Sequence, residues 1–217
     1  MSPDSDRSGE RQRPDHPTRS GERQRPAKGH LPRLARGFYC GHSFVHWTLT
    51  LEQRATGWLS SDFHHAWQHL LLHACARFDL AAPAYVLMPD HIHLLGVGLS
   101  SAADQHLAIE FLRKHLAPFI APAAWQKQAH DHVLREEERE HDAISAVAHY
   151  IFENPVRAGL VSCWQDYAYT GCCVAGYPEL NPRTEDYWLR FWRVHNYLVA
   201  KPAPEFGSLR ARRYTTK

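Results

Sequence analysis

The sequence predicts an α+β domain, a ferredoxin-like antiparallel sheet with helices on one face. Three observations predict it. Short β-rich stretches (44–51, 83–88, 91–98) carry alternating or continuous apolar residues, and longer stretches (61–78, 102–119, 143–154) repeat them every three or four positions. The two kinds follow each other in the order β-α-β-β-α-β-α, which suits a helix-covered antiparallel sheet. At 217 residues and 44% hydrophobic composition, the chain can bury one core of its own.

The elements follow in chain order. Phe44, Val45, Trp47, Leu49 and Leu51 make the first strand. Ser60 and Asp62 can cap a helix running to about Phe78, whose positions Phe63, Trp67, Leu70, Leu71, Ala74 and Phe78 form one apolar stripe. Pro89-Asp90 makes a tight turn between two paired strands. A second helix is expected over about 102–119, and the stretch "WQKQAHDHVL" supplies a fourth strand before an acidic linker. Asp142 caps a third helix that must stop near Asn154, because Pro155 disfavours helical backbone before it. A Trp- and Tyr-rich stretch after residue 176 is expected to form a C-terminal helix that packs back on the domain.

Domain boundaries come from composition. The octapeptide "RSGERQRP" occurs twice, at 7–14 and 19–26, in a segment too polar to offset its ordering entropy, so residues 1–32 are expected to be a disordered basic tail. The folded domain is expected over 33–170, a helical extension over 171–205 and a second basic tail over 206–217. Net charge is +2, yet residues 1–36 hold nine Lys/Arg against five Asp/Glu, and 206–217 hold four against none. Basic termini of this kind attract phosphate backbones without regard to sequence, or simply keep the chain solvated. No apolar run is long enough to span a membrane and no signal peptide is seen, so the cytoplasm is the expected location. Five cysteines without a Cys-x-x-Cys pair suit neither a disulfide framework nor a structural zinc knot.

The chemistry is concentrated in "MPDHIHLL". Strand side chains alternate faces, so His91 and His93 project together and can grip one cation while leaving positions open. Tyr150 and Asn154 lie four residues apart on one helical face, away from the stripe of Ile144, Val147, Ala148 and Ile151. Glu153 competes with Asn154 as a third ligand. Two weaker constellations stand beside these. His65, His69 and His73 recur at four-residue spacing with no carboxylate to complete a zinc set, and Asp131-His132 has the form of a base with its orienting carboxylate or of a plain strand end.

The blocks "YVLMPDHIHLL", "WQKQAHDHVLR" and "HYIFENPVRAGLV" resemble the signature blocks of single-tyrosine HUH transposases, in particular the REP-associated tyrosine transposases of bacterial chromosomes. The resemblance covers about residues 35–170. It implies the HUH endonuclease fold, a divalent metal (Mg2+ or Mn2+) held by His91, His93 and Asn154, and Tyr150 as the nucleophile. It also implies single-stranded or hairpin DNA as the partner, cleavage through a 5′-phosphotyrosine, and strand transfer near the bacterial nucleoid. Lys114 and Arg157 are the candidates for contact with DNA phosphate or tyrosinate. A homodimer is compatible with such a family. The segment "YAYTGCC", at 167–173, departs from the family's usual continuation, which keeps a second class in play: a domesticated protein that binds DNA hairpins without cutting them.

Overall fold

The computed structural model describes residues 34–134 and 141–200. The two expected basic tails and the acidic linker at 135–140 lie outside the described residues. The elements are β1 (Phe44–Thr50), α1 (Ser61–Phe78), β2 (Leu80–Met88), β3 (His91–Gly98), α2 (Gln105–Ile120), β4 (His130–Val133), α3 (His141–Phe152), α4 (Asn154–Arg157), β5 (Thr170–Val174) and α5 (Tyr187–Ala200). Among the described residues no helix is long and apolar enough to cross a membrane.

Local chemistry sets the element ends. The Ser60 hydroxyl accepts a hydrogen bond from the Phe63 backbone N–H and caps α1, which closes at Asp79 in the left-handed conformation. Asp104 does the same for α2 by accepting from the Leu107 N–H, so that helix begins at Gln105 rather than near residue 102. Pro155 ends α3 as expected, and the chain restarts at once as α4 with Pro155 in its first turn.

The sheet runs in the order β4-β1-β3-β2-β5 with every neighbour antiparallel. The α+β class and the antiparallel ferredoxin-like sheet are therefore as the sequence predicts. The placement of helices needs correction, because they cover both faces. One face buries Trp47, Leu49, Tyr85, Leu87, Ile92 and Leu94 under α1 and α2. The other buries Phe44, Ala84, Val86, Met88, Leu95 and Val97 under α3 and α5. The reason lies in β2, which is buried at all nine positions; a strand apolar at both parities needs cover on both sides.

The boundary expected at residue 170 falls at the start of β5. That strand adds to the edge of β2, pairing Val86 with Thr170 and Tyr85 with Gly171. A Cβ on Gly171 would sit 2.5 Å from the Tyr85 hydroxyl, so the strand can lie there only with glycine at this position. The C-terminal helix forms as expected: α5 buries Tyr187, Phe191 and Trp192, and the Tyr187 hydroxyl donates to the Pro83 carbonyl at 2.6 Å. All five cysteines are unpaired.

Gln105 ties the first turn of α2 to the sheet. Its Oε1 accepts from Trp47 Nε1 at 3.0 Å, while its Nε2 donates to the Ser43 carbonyl at 2.8 Å and the Ser43 hydroxyl at 3.0 Å. Gln105→Leu would leave the buried indole N–H and the Ser43 groups without this partner. A loss of about 1–3 kcal/mol is expected, read as a lower urea midpoint with unchanged m.

Candidate metal and nucleophile site

Strand alternation places His91 and His93 on the face covered by α3. Their Nε2 atoms lie 3.1 Å apart. Two nitrogens so close either share a proton or present two lone pairs to adjacent positions of one cation. The second option requires both Nδ1 atoms to carry the proton and to have acceptors. Both have them. His91 Nδ1 lies 2.5 Å from Asp90 Oδ1, and His93 Nδ1 lies 3.0 Å from His46 Nε2 and 3.1 Å from the Thr48 hydroxyl.

Asp90 is itself held, accepting from Arg54 Nη1 at 2.9 Å. Partial burial would raise its pKa, but the hydrogen bonds and charges of His91 and Arg54 outweigh that and keep the carboxyl below its ordinary value. Gln53 and Arg54 both adopt positive φ, at 53° and 54°, a conformation that disfavours side-chain-bearing residues. The strained turn is what carries the guanidinium back to Asp90.

Burial keeps the central histidines neutral. It pushes His46 down to about 4, with the charge of His132 adding to it. It pushes His93 down to about 3, together with the charges of His46, His91 and Arg157, against a raising hydrogen bond with Asn154. Neutral imidazoles are what a metal ligand must be.

From α3 and α4 the same chain brings the remaining residues. Asn154 donates through Nδ2 to the carbonyls of Tyr150 (3.1 Å) and Ile151 (3.0 Å), which leaves its Oδ1 as the atom that can accept on the side of His93. Tyr150 is 52% exposed, and its ring meets His46 edge to face at 6.3 Å between centroids. The Arg157 guanidinium lies 4.1 Å over the Tyr150 ring and donates to the Tyr150 carbonyl at 2.9 Å.

The structure thus gathers His91, His93, Asn154, Tyr150 and Arg157. Glu153 instead lies 3.9 Å from His149 Nε2. Lys114 is not brought to the site. It is exposed on α2, which packs through Ala108, Leu112 and Leu116 on the opposite face of the sheet. His65, His69 and His73 are exposed on α1, in that same far layer. Among the described residues no set of three or more His, Cys, Asp or Glu converges as a metal centre, so the site is a partial one of two imidazoles and an amide. Asp131 accepts from the Tyr39 hydroxyl at 2.6 Å on the α2 side, while His132 pairs with His46 on the other face, so the two do not form a dyad.

Four residues of the site escape sequence reasoning: His46, Thr48, Asp90 and Arg54. A signal for the first two exists, since "HWT" repeats the polar-apolar-polar alternation of "HIH" in a strand otherwise apolar. Asp90 reads as a turn residue from sequence, and it is one; the same carboxylate also orients the histidine that follows.

No family model matches the chain. A Haemophilus influenzae protein with the provisional name of REP-associated tyrosine transposase is 24% identical over 139 residues, 57% of this chain and 76% of that protein. Among solved structures, a REP-associated tyrosine transposase bound to a REP hairpin matches with a TM-score of 0.54 at 19% identity, covering 64% of this chain and 82% of the other.

Asp90→Ala would remove the acceptor of His91 Nδ1 and free that ring to take the other tautomer. Affinity for Mn2+, measured by titration calorimetry, is expected to fall about 10–100-fold, with the fold retained.

Proposed function

We propose, from the resemblance to REP-associated tyrosine transposases in sequence and in fold, that this protein is a metal-dependent endonuclease and strand transferase acting on single-stranded, hairpin-bearing DNA. The observation that carries the reading is the gathering of Tyr150 with His91, His93 and Asn154 from a single chain. His91 Nε2, His93 Nε2 and Asn154 Oδ1 would hold Mg2+ or Mn2+, a donor set of neutral imidazoles and an amide oxygen that leaves room for phosphate oxygens. When bound, such an ion screens the phosphodiester charge and stabilises the departing oxygen.

Tyr150 supplies the nucleophile. Its hydroxyl oxygen attacks the phosphorus in line, the phenolic proton passes to solvent, the P–O3′ bond breaks and a protonated 3′-hydroxyl departs. The product is a 5′-phosphotyrosine. Attack on it by another 3′-hydroxyl releases the phenol and rejoins the strand without ATP, because one phosphodiester is exchanged for another. A phenol with an intrinsic pKa near 10 gains from a nearby cation. Arg157 holds its guanidinium against the Tyr150 ring and supports that role. Lys114, on the far layer, has no part in this chemistry, and any phosphate it meets lies away from the scissile one. The basic termini add sequence-independent attraction to the backbone.

The test uses a fluorescent single-stranded hairpin with the full chain and Mn2+, resolved on a denaturing gel. A protein-linked fragment is expected. Tyr150→Phe should lower its yield by about a thousandfold or more while hairpin affinity stays within about twofold. His91→Ala, His93→Ala and removal of the metal by chelation should each abolish the adduct. Hairpin binding by the wild type without any adduct would support the non-cleaving binding protein instead.

A further inference from the structure

His46 lies outside the three sequence blocks that carry the resemblance, yet it touches both halves of the site. Its Nε2 is 3.0 Å from His93 Nδ1, and its ring meets the Tyr150 ring edge to face. We propose that His46 is a positioning residue: its Nε2 accepts the Nδ1 proton of His93, which fixes the lone pair of His93 Nε2 toward the cation, and its ring sets the Tyr150 phenol against the same ligand. The proposal rests on the metal-and-tyrosine reading given above.

The argument is one of proton placement. A neutral imidazole has a single N–H. If His93 binds through Nε2, its proton must sit on Nδ1 and needs an acceptor there. Two groups are within reach, the Thr48 hydroxyl at 3.1 Å and His46 Nε2 at 3.0 Å. An imidazole nitrogen accepts with no other demand on that atom, whereas a hydroxyl must also send its own proton elsewhere. His91 has its counterpart in Asp90, so both ligand rings have a fixed acceptor behind them, one anionic and one neutral. The neutral choice fits its place. Asp90 is partly exposed and is offset by Arg54, while His46 sits deeper beneath α3, where an uncharged acceptor avoids the cost of burying a carboxylate.

Burial argues for function over filling. The α3-facing positions of β1 are Phe44, His46, Thr48 and Thr50, and β3 contributes His91, His93, Leu95 and Val97 to the same face. A leucine at 46 would suit that burial better than an imidazole that must stay neutral to remain there. The ring is present because its nitrogen is used. Its contact with Tyr150 adds a second effect, since one rigid side chain then spaces the nucleophile from the ligand that adjoins it.

The test is Mn2+ binding to the full chain without DNA, by calorimetry, together with adduct formation on the hairpin. His46→Leu is expected to fold normally, to bind Mn2+ about 10–100-fold more weakly and to slow adduct formation even at saturating Mn2+. His46→Gln, whose amide oxygen can accept the same proton, is expected to recover most of the affinity but not the full rate, because it lacks the ring. Long-range proton–nitrogen NMR of the Mg2+-loaded wild type should show His93 protonated on Nδ1, a measurement that needs no variant to fold. Wild-type Mn2+ affinity in His46→Leu would overturn the proposal, as would an equal loss in His46→Gln or an Nε2-protonated His93. A wild type that takes up Mn2+ but forms no adduct would remove the nuclease reading while leaving the ligand-positioning half to be judged by affinity alone. A wild type that takes up no Mn2+ overturns both.

Discussion

The antiparallel pairing of β1 with β3 is the constraint on which the site depends. Thr48 lies opposite His93 and His46 opposite Leu95, so one register sets His46, Thr48, His91 and His93 on one face. Shifting it by a single residue would turn the β1 side chains to the other layer and bring Trp47 and Leu49 under α3. The register is guarded by the burial it controls. Trp47 and Leu49 are almost wholly buried beneath α1 and α2, and the Trp47 indole is also tied to Gln105. The apolar side of β1 thus fixes the polar side, and the geometry of the histidine pair is inherited from core packing on the opposite face.

Around that register each side chain is held by a partner with its own reason to be there. The Arg54–Asp90–His91 chain runs from a strained turn to an imidazole nitrogen, and Thr48 and His46 do the same for His93 by way of the neighbouring strand. Tyr150 arrives from α3, whose Ile144, Ala148 and Ile151 are locked into the core, and the exposed Arg157 from α4 clasps it from the solvent side. Rigid elements carry the groups that would meet the phosphate. Solvent can reach the phenol, as the nucleophilic role proposed for it requires.

Much of this was legible in the sequence because it rests on local periodicity. Alternation alone puts His91 and His93 together, and the four-residue spacing puts Tyr150 one turn before Asn154, off the apolar stripe. What periodicity cannot say is which element a face will meet. His46 is 47 positions from His93, and only the strand pairing makes them neighbours. Lys114 sits on a well-read helix, but the choice of layer decided that it faces away from the site. The helices on both faces follow from β2 being apolar at both parities, a run that by itself also fits a single covered face with a short strand. The fifth strand escaped because "TGCCV" is short and carries a glycine at its second position, and it forms there by borrowing the edge of β2.

The face that carries the histidines is closed by α3 and α5 together, and α5 is the last element of the described chain, anchored by Tyr187 to the Pro83 carbonyl 104 residues earlier. Until those final turns leave the ribosome, Phe44, Val97 and the rear of α3 lack their cover, although the histidine pair and the phenol have long been synthesised. Order of synthesis thus bears on this face: His91, His93 and Tyr150 are all made before the helix that completes the layer over them.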